Sequence, residues 1–153
     1  MEGGAVPILR SATDGDLAAC RALLASCGLP TRGLERDFPG GYVVAIAGEA
    51  WVGCAGVERH DGVGLLRSVA VASAARGSGL GVRLVRACMA HARAQGLASL
   101  WLLTTTAPGF FRRLGFTAVD RAEAPAGLRA SDEFADVCPA SATCMRVVHD
   151  STQ

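Results

Sequence analysis

The chain has 153 residues, 50% of them hydrophobic and 19% charged, with a formal net charge of +1. That is enough apolar material for one domain with a real core, and too much for a disordered chain. The balanced charge gives no argument for nucleic acid or an anionic membrane surface, and no apolar run approaches the roughly 18 residues of a membrane span.

The start, Met1-Glu2-Gly3-Gly4, lacks the basic n-region and apolar run of a signal peptide, so the cytoplasm is the expected compartment. Val6 to Arg10 reads as a first strand. Thr13-Asp14 opens a helix that carries Leu17, Cys20, Leu23, Leu24 and Cys27 at helical spacing and stops at Gly28-Leu29-Pro30. Thr31 to Phe38 reads as a short second helix. Gly41 to Ala47 and Ala50 to Arg59 read as two strands joined at Gly48-Glu49. His60-Asp61-Gly62 then turns into a fourth strand, Leu65 to Val71.

Arg76-Gly77-Ser78-Gly79-Leu80-Gly81 follows that strand and opens a helix over Leu80 to Gln95. Leu80, Leu84, Cys88 and Ala92 recur every four residues, with Val85 beside them, and Gly96 caps the end. Ala98 to Thr105 reads as a strand, Pro108 to Leu114 as a short helix, and Phe116 to Arg121 as a sixth strand. Ala126 to Val137 is loop or helix, and Ala142 to Val148 a seventh strand.

Strand, glycine-rich turn and helix together suit a phosphate or pyrophosphate. Glycines let the backbone come close, the helix N-terminus presents unpaired N–H groups, and Arg76 adds positive charge. The spacing is not that of a dinucleotide fingerprint, because Val82 and Leu84 stand where the third glycine would fall. It is not a P-loop either, since Gly-Lys-Ser/Thr is missing. None of the six cysteines forms a Cys-x-x-Cys pair, which argues against a metal site. Cys20 and Cys27, about 10 Å apart along one helix, are too distant to bridge, and free thiols are expected.

The motif Arg-x-x-Gly-x-Gly after a strand ending Val-x-Val resembles the pyrophosphate loop of the GCN5-related N-acetyltransferases, which bind acetyl-coenzyme A. The element order extends the resemblance over nearly the whole chain. Phe110-Phe111-Arg112-Arg113-Leu114-Gly115-Phe116 is similar to the family segment Phe-Tyr-x-x-x-Gly-Phe. The Leu66 to Val71 run, Thr104 to Thr106, Phe110-Phe111 and the Cys138-Pro139…Cys144-Met145 tail resemble a subgroup of short N-acetylglutamate synthases and arsenic-resistance-associated acetyltransferases. The resemblance implies a single domain over 1–153, of α/β (α+β) class. Its sheet would be mixed, mostly antiparallel and seven-stranded, with helices flanking it. It implies acetyl-coenzyme A as cosubstrate, no metal, and a small amino-acid-like acceptor that includes arsenic-containing amino acids. It implies no nucleic acid or membrane partner and leaves homodimerisation open.

The resemblance also assigns roles. Backbone groups of Val69, Ala70 and Val71 would pair with pantetheine amides by strand addition. Arg76, Gly77, Ser78, Gly79, Leu80, Gly81 and Val82 would hold the pyrophosphate. Phe110 and Phe111 would pack on the arm. The glutamate that family members carry early in the fourth strand is Leu65 here, so Glu58 becomes the candidate base, with His60 in the turn as the weaker alternative. The tyrosine acid of the family falls at Phe111, which has no proton to give. Ser68, Thr104 and Thr105 are hydroxyls at hand for the leaving thiolate and acceptor. Arg67 interrupts an apolar face with Leu65, Val69 and Val71, and a buried arginine needs an anion. That anion is an internal carboxylate, or an acidic group of the acceptor gripped by the guanidinium fork. Two further readings stay open: a non-catalytic acyl-coenzyme A-binding module, and a thiol-based metalloid-binding protein using Cys138 and Cys144.

Overall fold

The computed structural model describes residues 6–137 and 141–149. Its strands are β1 (Ile8–Ser11), β2 (Tyr42–Ala47), β3 (Ala50–His60), β4 (Val63–Val71), β5 (Ser99–Thr104), β6 (Thr117–Ala118) and β7 (Thr143–Val148). Its α-helices are α1 (Leu17–Ser26), α2 (Leu34–Asp37), α3 (Leu80–Ala94), α4 (Pro108–Arg113) and α5 (Ala126–Arg129). The seven strands form one sheet in the order β1-β2-β3-β4-β5-β7-β6. β1 with β2, β2 with β3, β5 with β7 and β6 with β7 run antiparallel, and β4 with β5 is parallel. The expected seven-stranded mixed sheet is therefore present. By internal contacts the chain divides into two units, Met1–Gly56 with Ser68–Cys88, and Val57–Arg67 with Met89–Gln153.

In the first unit the apolar stripe of α1 (Cys20, Leu23, Leu24) packs with Leu34, Tyr42, Val44, Cys54 and Ala70. The helix entry is fixed by one carboxylate. Asp16 Oδ2 accepts from the Thr13 backbone N–H at 2.8 Å and from Arg10 Nη1 at 2.7 Å. Its Oδ1 accepts from Arg10 Nη2 at 3.0 Å and from Trp51 Nε1 at 2.9 Å. Arg10, against the opposing effect of burial, holds the Asp16 carboxyl well below the ordinary value, with Thr13 and Trp51 adding to it. A depressed folded-state pKa gives stability that is present above the unfolded value of about 3.9 and lost as pH falls through the folded one. The melting temperature should thus fall as pH drops below about 5, and Asp16→Asn should lose part of that dependence. Parallel melting curves with equal acid slopes in both proteins would remove Asp16 from the acid response.

In the second unit Val63, Leu65, Trp101, Ala124, Leu128, Phe134 and Cys144 form the core. β5 and β7 pair along their length, from Ser99↔Val148 to Thr104↔Thr143. Asp61 (φ 51) and Gly62 (φ 79) alone make the turn between β3 and β4, so β4 begins at Val63 rather than Leu65. His60 is correspondingly a strand residue, not a turn residue. Asp61 Oδ2 also accepts from the Gly127 N–H at 2.7 Å, which ties the turn to α5. β6 is only two residues long, shorter than the expected Phe116 to Arg121. Asp120 stops it by accepting from the Ala122 N–H at 2.9 Å and capping a 3-10 turn over Arg121–Glu123. The uncertain stretch before β7 resolves into α5 and a π-helical turn, Glu133–Val137.

The predicted inward face of α3 is buried: Leu80, Leu84, Val85, Cys88 and Ala92 are each at most 2% exposed. No described helix is long and apolar enough to cross a membrane.

Candidate active site

The glycine-rich loop belongs to the first unit. Gly77 (φ 81) and Gly79 (φ 82) both lie in the left-handed region that side chains disfavour. A Cβ built on either meets nothing within 4 Å, so the space beside the backbone is open. The carbonyl of Gly79 accepts from the Arg83 N–H at 3.1 Å, which makes Gly79 the residue from which α3 starts. The N–H groups of Leu80, Gly81 and Val82 are then first-turn donors without intrahelical partners. Arg76 is exposed, and its Nε donates to the Val71 carbonyl at 3.0 Å while Nη2 stands 3.6 Å from Cys27 Sγ. Ser78 Oγ donates to the Ala75 carbonyl at 2.6 Å. The loop is thus braced by its own side chains and presents backbone N–H groups together with one cation.

β4 carries an irregularity before this loop. Ser68 has φ 62 in the middle of the strand, which interrupts the alternation expected from Leu65 to Val71. The Cys54 thiol donates to the Ser68 carbonyl at 3.3 Å. Val69 and Val71 are half-buried, and Ala70 is buried.

The second unit holds Glu58, His60 and Arg67. Arg67 Nη1 donates to Glu58 Oε2 at 2.8 Å, with side chains 2% and 5% exposed. Glu58 Oε1 lies 3.1 Å from His60 Nε2. The two residues singled out in sequence, Glu58 and Arg67, therefore meet, and His60 joins them. Burial works to raise the Glu58 pKa. The His60 hydrogen bond and the Arg67 charge outweigh it, so the carboxylate stays ionised below its ordinary range. Sequence spacing missed the pairing, although a two-residue turn at Asp61-Gly62 sets Glu58 across from Leu65 and diagonal to Arg67.

The remaining candidates are more structural in their contacts. Thr104 Oγ1 accepts from the Ala107 N–H at 3.1 Å and shapes the entry to α4, whereas Thr105 is exposed. Phe111 packs edge-on against Phe110 at 5.0 Å and against Phe116 at 5.8 Å, and is 8% exposed. Phe110 is half-buried. Cys144 is buried, and burial pushes its thiol up to about 11. Cys138, its partner in the metalloid-binding alternative, lies outside the described residues. Among the described residues no three His, Cys, Asp or Glu side chains converge in a metal-binding arrangement.

Comparison with known proteins gives the class. Residues 39–118 match the family model described as an acetyltransferase (GNAT) domain. That is over half of the chain, and the chain belongs to the GNAT acetyltransferase family. No curated protein matches its sequence. Among solved structures it is similar to the N-acetylglutamate synthase of Neisseria gonorrhoeae complexed with coenzyme A and N-acetyl-glutamate. The TM-score there is 0.80 at 22% identity, over 95% of this chain and 36% of that one. The chain thus spans about a third of that synthase's length. Rv2747 from Mycobacterium tuberculosis, in complex with CoA and NLQ, gives a TM-score of 0.79 at 23% identity, over 94% of this chain and 99% of that one. The ribosomal-protein-S18-alanine N-acetyltransferase of Escherichia coli gives 0.72 at 16% identity, over 97% of each chain. At these identities the likeness is one of fold. The N-acetylglutamate synthase and the ribosomal-protein-S18-alanine N-acetyltransferase share the fold but not the acceptor, so the fold does not choose one.

Proposed function

We propose that this chain works as one acetyltransferase domain over 1–153, moving the acetyl group of acetyl-coenzyme A to the amine of a small, amino-acid-like acceptor. The observation that carries this reading is the buried cluster of Glu58, Arg67 and His60. An amine must lose a proton to become acylated, and a family member with an ionised carboxylate held inside beside an imidazole has a proton sink. β3, β4 and α3 each contribute residues to both units, which supports one functional domain.

Coenzyme A suits the loop on the features already described: glycines with open flanks, first-turn N–H groups and the Arg76 cation. Arg76 to Val82 would meet the pyrophosphate, and Phe110 and Phe111 the pantetheine arm. Main-chain groups of Val69, Ala70 and Val71 would pair with its amides, apart from the Val71 carbonyl, which already accepts from Arg76 Nε. Arg67, Ser68, Thr104 and Thr105 would face the acceptor. The guanidinium fork of Arg67 would suit an acidic acceptor group, whether carboxylate, phosphonate or arsenic oxyanion. A leaving thiol of ordinary pKa near 8.5 departs tolerably as thiolate, so no protein acid is required at Phe111.

The test is thiol release from acetyl-coenzyme A across a panel containing glutamate, other amino acids, arsenic- and phosphorus-bearing amino acids, and simple amines. Release with acidic amino-acid acceptors supports the reading. Tight coenzyme binding with no release from any acceptor would favour a non-catalytic binding module instead.

The loop assignment has its own check. Valine at position 79 would sit at a φ of 82, where a β-branched residue is strained, with its side chain in the open space beside the helix start. Gly79→Val should weaken acetyl-coenzyme A by at least about tenfold, roughly 1.4 kcal/mol. Titration calorimetry showing unchanged affinity in the folded variant would remove the loop from the coenzyme site.

A further inference from the structure

We infer that His60 is the residue that takes the proton from the acceptor amine, with Glu58 and Arg67 positioning it. The inference deepens the acetyl-transfer reading and rests on it.

Glu58 is poorly placed to meet an amine itself. It is 4% exposed, and both of its oxygens are engaged, Oε2 by Arg67 at 2.8 Å and Oε1 by His60 at 3.1 Å. To reach a substrate it would have to abandon a buried ion pair. His60 is the outlet of the cluster, since its side chain is 15% exposed against 5% for Glu58. Glu58 and His60 are two apart on β3 and share a face of the strand.

The chemistry of the carboxylate fixes the imidazole. An ionised carboxylate only accepts hydrogen bonds. His60 Nε2 must therefore carry the hydrogen and donate it to Glu58, which leaves the lone pair on Nδ1. Among the described residues Nδ1 makes no hydrogen bond. The charged residues on either side are occupied elsewhere. Arg59 donates to Gln95 at 3.4 Å, and Asp61 accepts from Gly127 at 2.7 Å. The result is a base with a defined tautomer, backed by a carboxylate that is itself held by a guanidinium.

The step balances without further reactants. The amine nitrogen forms a bond to the thioester carbonyl carbon, the carbon–sulfur bond breaks, and its electron pair leaves on sulfur. The proton of the amine passes to His60 Nδ1, giving an imidazolium beside the Glu58 carboxylate. That proton returns to solvent, and the thiolate takes one from water.

His60→Gln and His60→Ala in the full chain test this, by thiol release with acetyl-coenzyme A and the acceptor that the wild type acetylates best. Both variants should keep an acetyl-coenzyme A KM within about twofold, while kcat/KM for the acceptor falls by about 10²-fold or more, and His60→Gln, whose amide can still donate to Glu58, should melt close to the wild type. The acidic limb of the pH–rate profile should flatten, and added imidazole should restore His60→Ala more than His60→Gln. Turnover of His60→Gln within about threefold of wild type, with the acidic limb intact, would overturn the inference and leave acetyl transfer standing. A fall in melting temperature with both KM values raised, and no rescue, would also overturn it, because that is the mark of a structural role. A wild type that acetylates nothing in the panel would sink the acetyl-transfer reading, and this inference with it.

Discussion

Arg67→Ala is expected to lower the melting temperature by roughly 6–20 °C. Its guanidinium is buried against Glu58 at 2.8 Å, so removal strands a carboxylate in the interior. Breaking one side of such a pair costs about 3–5 kcal/mol. For a chain of this size each kcal/mol is worth about 2–4 °C. The loss should shrink as pH falls, because burial raises the pKa of the stranded carboxylate and it takes a proton instead of staying charged. Arg67→Lys keeps the charge but loses the planar fork, and should melt much nearer the wild type. The pair of variants also decides the acceptor. If Arg67 recognises an acidic acceptor, Arg67→Lys should raise the KM of acidic amino acids by about tenfold or more. Neutral amines, poor substrates of the wild type, should lose little. Stability loss in Arg67→Ala with unchanged selectivity in Arg67→Lys would leave Arg67 a purely internal partner of Glu58, and the case for an acidic acceptor would go.

The sequence was most legible where one physical rule acts alone. The four-residue recurrence from Leu80 to Ala92 fixed the inward face of α3, and its buried residues are those of the stripe. The glycines before it needed a left-handed backbone, and Gly77 and Gly79 have it. Legibility failed where two rules competed. The apolar pattern carried β6 on to Arg121, but the Asp120 cap ends it at Ala118. Asp61 resembled the middle of a three-residue turn, yet it accepts φ 51 and leaves His60 in β3. That shift matters for the site, because it places the imidazole on the same strand face as Glu58. The irregularity at Ser68 carries no sequence signal at all. Nothing in Arg67-Ser68-Val69 announces a positive φ, and the thiol that donates to the Ser68 carbonyl lies fourteen residues away, on β3.

The departures from the family pattern read differently with the cluster in view. Leu65 stands where the resemblance places a glutamate, and a two-residue turn sets Glu58 directly across from it. A carboxylate supplied from β3 then serves the same corner of the sheet as one supplied from β4. The exchange has a consequence for proton transfer. On β3 the carboxylate is 4% exposed and pinned on both sides, so it acts best through the imidazole that it holds.

Glu58→Gln should therefore damage turnover about as much as loss of His60 itself. The amide keeps the size of the side chain and still accepts from His60, but it has no charge to stabilise an imidazolium. It also offers an N–H that favours the wrong tautomer. The same exchange in the Asp–His pair of a serine protease costs about 10⁴ in turnover. Here the expected loss in kcat/KM is at least about 10²-fold. Acetyl-coenzyme A affinity should stay within about twofold, since the loop Arg76 to Val82 belongs to a different part of the chain. The pH dependence gives a second reading. The folded-state pKa of Glu58 is depressed, so its contribution to stability is present above the unfolded value of about 4.3 and is lost as pH falls through the folded one. Glu58→Gln should accordingly lose stability at neutral pH, where the ion pair of Glu58 with Arg67 is lost, and converge on the wild type in acid. A variant that turns over like the wild type and melts below it would mean that Glu58 serves the fold alone. The proton would then leave through His60 without help from the carboxylate, or through water.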